Sequence, residues 1–251
     1  MPGWLESGGW GLLAGSALLL GAAVGYLVRI PARVIASVMA FGAGVLLSAV
    51  SFELIAEAYD LGGFLPTAVG AIAGSLVYTG CNVLLARRGA RHRKRSGDQQ
   101  PSEGEHDGSG SALALGALLD GVPESVVIGT SLLSGGAVSA VTVAAVFISN
   151  VPEGLSSAAG MRRAGRSTGY VFGLWGGIAL ISGLSAVAGY TLLGGVAPAV
   201  LAAITALAAG AILTMIADTM IPEAFENTHL AIGLITLLGF LTAFALSRLG
   251  E

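Results

Sequence analysis

The segment LLDGVPES, residues 118–125, places two carboxylic acids inside a long apolar run. A related segment, ISNVPEG at residues 148–154, lies in the next apolar run. Asp120 and Glu124 are four residues apart, so a helix puts both on one face, one turn from each other. Because an unpaired carboxylate is costly to bury among apolar groups, this pattern predicts a buried site where another group compensates the acids.

The second segment repeats the arrangement with Asn150 and Glu153, which are three residues apart and share a helix face. In each segment a proline precedes the glutamate and cannot donate a hydrogen bond to the carbonyl four residues earlier. The carbonyl oxygens of Leu119 and Ile148 therefore need another partner. Clustered acids beside freed carbonyl oxygens indicate a site for a positive ion.

Composition assigns the chain to the membrane proteins. Of its 251 residues, 54% are hydrophobic and only 11% are charged, whereas soluble domains carry about 25% charged residues. The single cysteine, Cys81, excludes an internal disulfide and a cysteine metal cluster. We expect one transmembrane domain over residues 1–251, in contact with the lipid bilayer, and predict neither a nucleic-acid partner nor a cofactor.

The predicted fold class is all-α, a polytopic membrane helix bundle of eight transmembrane helices. Runs of ~20 residues without period-2 alternation favour spanning helices over strands. The predicted spans are Trp10–Val28, Val34–Tyr59, Leu65–Ala86, Ala112–Leu133, Ala137–Met161, Thr168–Leu193, Pro198–Ile221 and Leu230–Leu246.

Basic residues predict the orientation of the bundle. All but one of the 12 lysine and arginine residues lie in the loops after spans one, three and five, which makes those loops cytoplasmic and both termini external in a multi-pass cell membrane protein. The loop at 87–110 begins basic and becomes acidic and rich in Gly and Ser, so a solvated, disordered linker is expected there. Its histidines, His92 and His106, leave weak metal capture open as an alternative.

An internal repeat is visible at an offset of 166 residues. AGVLLS at 43–48 aligns with AGAILT at 209–214, and LIAEAYD at 54–60 aligns with MIPEAFE at 220–226. The predicted orientation makes spans two and seven run in opposite directions. This is typical of inverted-repeat transporters, with spans 1–3 and 6–8 arranged around spans 4–5.

At this level of detail the chain resembles the ZIP family of divalent metal transporters. That family has eight spans, external termini, a variable loop after span three and a His-Asn-x-Pro-Glu-Gly motif in span four. Here span four has DGVPES at 120–125, and span five has SNVPEG at 149–154. The chain departs from the family at the span-four histidine and asparagine, which are Asp120 and Gly121, and in span seven, where Asp218 follows an alanine. The resemblance implies bridging roles for Glu124 and Glu153 and a possible homodimer.

Two groups of residues are therefore candidates for function. The candidate metal ligands are Asp120, Glu124, Ser149, Asn150, Glu153 and Asp218, and the candidate entry and exit residues are Glu53, Glu57 and Glu223. Several alternatives stay open: the buried acids can be protonated and hydrogen-bonded, Asn150 can join two helices through its amide, and Glu53 can bond a neighbouring helix. Asp218 can serve gating or secondary coordination.

The leading functional hypothesis is a permease that moves a divalent cation into the cytoplasm. Oxygen ligands favour Mn²⁺ or Fe²⁺, and the family resemblance keeps Zn²⁺ in the substrate set. The sequence contains no phosphate-binding loop for ATP. A relative that acts as a metal sensor or scaffold without transport is the main alternative. An intramembrane hydrolase is the second alternative. It does not explain acids at both mouths of the route or the inverted repeat, so no enzymatic activity is expected.

Overall fold

The computed structural model describes residues 1–100, 102, 109–135, 139–227 and 231–250, and over these residues the chain is all-helical apart from turns and short connections. No strand occurs in these ranges. The helices are α1 (Gly3–Leu27), α2 (Ala32–Gly62), α3 (Phe64–Ala90), α4 (Ser109–Gly135), α5 (Ala140–Arg163), α6 (Thr168–Leu193), α7 (Pro198–Glu226) and α8 (Ile232–Gly250).

Six helices in the described ranges are long and apolar enough to cross a membrane, namely α1, α2, α3, α4, α6 and α7. The apolar part of α8, Ile232–Arg248, is shorter. Helix α5 does not reach the same apolarity because its middle carries serines, Asn150 and Glu153 and its end carries two arginines. The chain thus has the build of a multi-pass membrane protein, and each of the eight predicted apolar runs forms a helix.

Two helices are interrupted in their interior by π-helical turns, one at Val50–Ile55 in α2 and one at Ile216–Met220 in α7, and a further π-helical turn at Ala86–Ala90 ends α3. Such turns are rare in proteins, and those that occur are often found at functional sites. In α7 the turn directly precedes Pro222, whose missing N–H removes a regular helical hydrogen bond. The two π turns carry the candidate residues Glu53 and Asp218.

Helices α4 and α5 are fixed in the bundle by close backbone contacts with outer helices. A Cβ atom at Gly154 of α5 would lie 2.2 Å from the carbonyl oxygen of Leu18 in α1. One at Gly129 of α4 would lie 2.1 Å from the carbonyl oxygen of Ala186 in α6. Only glycine allows backbones to approach this closely, as is common where membrane helices pack. These contacts set the positions of the Pro-Glu segments.

The segment that follows α3 differs from the sequence prediction. The backbone leaves helical geometry at Arg88 and turns at Gly89, whose φ of 95° lies in the left-handed region that favours glycine. Residues 91–100, here called the return segment, then pack against the bundle, with four of them buried: Arg93, Lys94, Ser96 and Gln100. The expected solvated linker at 87–110 is therefore corrected over residues 87–100. Of the remainder of that loop, only Ser102, Ser109 and Gly110 are among the described residues. His106 therefore lies outside them.

Candidate functional site

Three carboxylates from the Pro-Glu segments lie inside the bundle. Asp120 and Glu124 of α4 and Glu153 of α5 are 2%, 1% and 4% exposed. They are near enough to one another to interact electrostatically. Neutralising partners are needed for such a cluster, because like charges in an apolar environment repel strongly and lose their hydration.

The ammonium group of Lys94 lies between two of these acids. Its Nζ is 2.8 Å from Oε2 of Glu153 and 3.5 Å from Oδ2 of Asp120. One cationic group of the return segment thus joins helices α4 and α5. The structure thus places a cationic group of the chain itself between these two acids.

Arg93 holds Asp120 from the other side. Its Nε donates to Oδ2 of Asp120 at 2.9 Å and its Nη2 donates to Oδ1 at 3.0 Å, a bidentate pair. The hydroxyl of Tyr78 in α3 donates to the same carboxylate at 2.5 Å and accepts from Arg93 Nη2 at 2.7 Å. Burial by itself lowers the pKa of Arg93, but the charge and hydrogen bonds of Asp120 outweigh it and raise that pKa, so the guanidinium stays charged.

Glu223 of α7 receives the end of the basic stretch. Its Oε1 accepts from the backbone N–H of Ser96 at 2.9 Å and from the Ser96 hydroxyl at 2.7 Å, and it lies 3.0 Å from the hydroxyl oxygen of Ser156. Arg95 Nη1 lies 3.5 Å from Oε2 of Glu223 and also pairs with Glu226. Consecutive residues of the return segment therefore engage acids on α4, α5 and α7 in turn.

Glu124 stands apart from this network. Its Oε1 atom is buried and has no hydrogen-bond partner, although the carboxyl lies beside Glu153 and Asp120. Buried carboxylate oxygens are normally satisfied, and an exception indicates a group that the structure does not contain or a functional role. Oε1 of Glu124 therefore receives no hydrogen bond from the return segment and could contact a bound ion.

The polar residues of α5 make structural bonds. The side-chain amide of Asn150 donates to the carbonyl oxygen of Ala14 in α1 at 2.9 Å, which is the helix-joining role considered from the sequence. The Ser149 hydroxyl donates to the Val146 carbonyl of its own helix at 2.9 Å. Both side chains are buried. The Ser149 hydroxyl hydrogen and one N–H of the Asn150 amide are thus used in bonds to backbone carbonyls.

Asp218 lies away from the three clustered acids, in a separate polar cavity of about 310 Å³. Its side chain is exposed, and Asn82 Nδ2 lies 3.5 Å from its Oδ2. His92 and Arg95 of the return segment also line this cavity. Partial burial, followed by the nearby charges of Arg95 and Arg91, lowers the pKa of His92, so this imidazole is neutral at pH 7.

The predicted entry residues occupy α2. Glu53 is half-buried in the π turn and accepts a short hydrogen bond from Ser247 of α8. This contact agrees with the alternative in which Glu53 bonds a neighbouring helix. Glu57 follows one turn later and is also half-buried. Within the described ranges, the acids that pair with the return segment are on α4, α5 and α7, and Glu53 is not one of them.

In the described part of the chain, no three His, Cys, Asp or Glu side chains are gathered in a geometry that could hold a metal ion. The ion pairs explain this absence. Arg93 and Lys94 contact the carboxylate oxygens of Asp120 and Glu153 that a shared metal ion would bind. Asp120 and Glu153 are bridged by the Lys94 ammonium. A metal would need the same oxygen atoms that these groups now contact.

Sequence reasoning missed the residues that complete the site: Tyr78, Arg93, Lys94 and Ser96. The available signal was the basic stretch RHRKR at 91–95, in a chain whose intramembrane acids lacked partners. A run of like charges is usually solvated and disordered, so this stretch was assigned to the linker.

Comparison with known proteins adds no assignment. No model of a protein family matches the chain, and no curated protein shows significant similarity to it.

Proposed function

We propose that this protein is a membrane transporter that carries a divalent cation through the carboxylate site between α4 and α5. The observation that carries the proposal is a set of buried acids that already binds cationic groups and includes one carboxylate oxygen, Oε1 of Glu124, without any partner. Ionisable groups inside a membrane bundle commonly mark an ion pathway. The resemblance to the ZIP family is part of this proposal.

An inverted repeat built from α1–α3 and α6–α8 is supported by the positions of the π turns. The turns begin at Val50 and Ile216, which are separated by the same 166 residues as the aligned sequence segments. Because π turns are rare, two of them at equivalent places are unexpected for unrelated helices. Transporters built from inverted repeats place the substrate between the repeats, at interrupted helices.

Close backbone contacts support the same repeat. A Cβ at Gly44 of α2 would lie 1.9 Å from the carbonyl oxygen of Thr236 in α8, and a Cβ at Gly210 of α7 would lie 2.0 Å from that of Ala71 in α3. Gly44 and Gly210 are again 166 residues apart. Exchanging α2 with α7 and α3 with α8 therefore maps one contact onto the other.

The remaining parts of the topology belong to the proposal as well. All eight helices would span the membrane, both termini would be external, and the basic loops, with the return segment, would be cytoplasmic. Glu223 would then lie near the inner mouth of the route and Glu53 and Glu57 near the outer one. Rocking of one repeat against the other would expose the central acids to each side in turn.

The substrate class follows from the ligand chemistry. Asp120, Glu124 and Glu153 offer only carboxylate oxygens, which suit Mn²⁺ and Fe²⁺, while Zn²⁺ also accepts such ligands. His92, the one histidine among the described residues, lines the cavity of Asp218 instead. We therefore expect Mn²⁺ or Fe²⁺ to be preferred over Zn²⁺.

Uptake into proteoliposomes tests the proposal. Purified protein should accumulate Mn²⁺ down its gradient, and Glu124→Gln should weaken the apparent affinity by at least ~10-fold, since an anionic ligand is lost while size and hydrogen bonding are kept. Asp60→Asn, at an exposed acid of α2, is the matched control and should behave like the parent. Equal affinities for Glu124→Gln and the parent would remove the carboxylate site from the route.

A second candidate function is a metal sensor or scaffold that does not transport. The favouring observation is the set of ion pairs, which neutralises Asp120 and Glu153 without any external ion. This candidate predicts cation binding in detergent but no accumulation in proteoliposomes. The two measurements together separate it from the transporter.

A further inference from the structure

We propose that the return segment is a tethered plug: its basic side chains occupy the carboxylate site, and a divalent cation binds only when they leave. This inference rests on the proposed function for the identity of the competing ion. Three features of the structure carry it, namely shared ligand atoms, hydrogen bonds that hold the backbone of the segment, and a glycine of α5 that makes room for it.

The basic groups and a metal ion would use the same oxygen atoms. Oδ2 of Asp120 is contacted both by Arg93 Nε at 2.9 Å and by Lys94 Nζ at 3.5 Å, and Oε2 of Glu153 is contacted by Lys94 at 2.8 Å. A divalent ion coordinated by these acids would place its own charge against the ammonium and the guanidinium. Such like-charge contact in a buried site is strongly unfavourable. The plug and the ion therefore cannot occupy the site at the same time.

The backbone of the return segment is latched to α5. Nε2 of Gln100 lies 3.1, 2.9 and 3.1 Å from the carbonyl oxygens of Arg93, Arg95 and Ser157, and its two N–H hydrogens are shared among these three acceptors. The Ser156 hydroxyl contacts the carbonyl of Lys94 at 2.6 Å. These bonds hold the main chain at the site in addition to the ion pairs, so the segment has a defined docked position.

Glycine at one position of α5 makes this docking possible. A Cβ at Gly160 would lie 2.1 Å from the carbonyl oxygen of Arg95 and 2.3 Å from Nε2 of Gln100. All of the nearest atoms belong to the return segment, and none belongs to another helix. A methyl group at residue 160 therefore pushes the segment away without altering any charge in the site.

Docking lowers the apparent affinity for the ion. When the competent state is a minor state of at most ~10%, the apparent dissociation constant is at least ~10-fold weaker than the intrinsic one. Gly160→Ala raises the population of the undocked state. It should therefore strengthen apparent Mn²⁺ affinity by up to that factor.

The chemistry of the chain offers a direct readout of docking, because Lys94 is its only lysine. An acylating reagent specific for amines then has two targets, the Lys94 ammonium, which is 3% exposed, and the amino group of Met1, which is 87% exposed and serves as an internal control. Mass spectrometry of the peptides measures both rates in intact protein in mild detergent, with the chain in denaturing detergent as the reference for an unprotected Lys94.

The expected result is acylation of Met1 with little acylation of Lys94 in the absence of ions. Mn²⁺ should accelerate the Lys94 reaction at least ~10-fold by displacing the plug, and Glu124→Gln should remove this acceleration. Gly160→Ala should expose Lys94 without Mn²⁺. Gly173→Ala is its matched control, because a Cβ at that position meets no atom within 4 Å.

Two results overturn the plug: rapid acylation of Lys94 without ions, or protection that saturating Mn²⁺ leaves unchanged. Failure of the proposed function looks different. In that case Mn²⁺ releases Lys94, yet neither the parent nor Gly160→Ala accumulates Mn²⁺ in proteoliposomes. That outcome retains the plug as a cation-responsive element and removes transport.

Discussion

Removal of the Lys94 ammonium measures how much its ion pair with Glu153 contributes to the free energy of unfolding. In Lys94→Ala, Asp120 keeps Arg93 and Tyr78, whereas Glu153 loses the donor at 2.8 Å and stays buried. Breaking a buried ion pair by deleting one partner costs about 3–5 kcal/mol. For a chain of this size about 1 kcal/mol corresponds to ~2–4 °C, so the Tm should fall by at least ~6 °C.

A double-variant cycle assigns this loss to the pair. Thermal unfolding in detergent, followed by circular dichroism, gives the Tm of the parent, Lys94→Ala, Glu153→Gln and the double variant. Because Glu153→Gln removes the uncompensated charge, the double variant should be more stable than Lys94→Ala, with a coupling of about 1–3 kcal/mol. Arg91→Ala, at an exposed neighbouring residue, is the control.

Mn²⁺ extends the same measurement to the proposed substrate. A ligand at 100 times its dissociation constant stabilises the folded state by about 2.7 kcal/mol, so saturating Mn²⁺ should restore most of the Tm lost in Lys94→Ala. The double variant should gain less because it lacks one anionic ligand. The reasoning is refuted when Lys94→Ala unfolds at the temperature of Arg91→Ala, or when Mn²⁺ stabilises both Lys94 variants equally.

Three further outcomes are expected. Protons compete with cations for carboxylate oxygens, so apparent Mn²⁺ affinity should weaken as the pH falls from ~7 to ~5; a flat profile would argue against carboxylate ligands. In whole cells, an impermeant thiol reagent should label a cysteine that replaces Gly195 and leave one that replaces Ser102 unlabelled, and the reverse pattern would invert the topology. Asp120→His supplies an imidazole and should shift ion preference toward Zn²⁺; an unchanged preference would place the metal elsewhere.

The helices and the buried acids could be predicted from sequence because the signals are local. An apolar run sets the position of a helix, and a carboxyl group in the middle of that run is carried into the bundle with it. Thr168–Leu193 was predicted with the bounds that α6 has in the structure. Other ends differ, most at α1, where the helix begins at Gly3 and not at Trp10, and less at α5, where the described helix begins at Ala140 and continues to Arg163.

The partners of the acids could not be predicted because they depend on distant residues. Lys94 and Glu153 are 59 residues apart, and Ser96 and Glu223 are 127 apart. Nothing in the local pattern of RHRKR distinguishes a docked segment from a solvated one, since the deciding factor is the complementary charge inside the bundle. The role of Asn150 was undecidable for the same reason, because its acceptor at Ala14 lies 136 residues away.

The turn at Gly89 lies only a few residues before Arg93 and Lys94, so it joins these basic groups to the end of α3 by a short stretch of chain. A ligand on a short tether experiences a millimolar effective concentration. A free cation at about 1 μM therefore competes only when its intrinsic affinity for the acids exceeds that of the tethered groups by ~10³-fold. If the segment is the plug proposed above, the distance along the chain from Gly89 to Lys94 sets a concentration threshold for the ion, and lengthening it would lower that threshold.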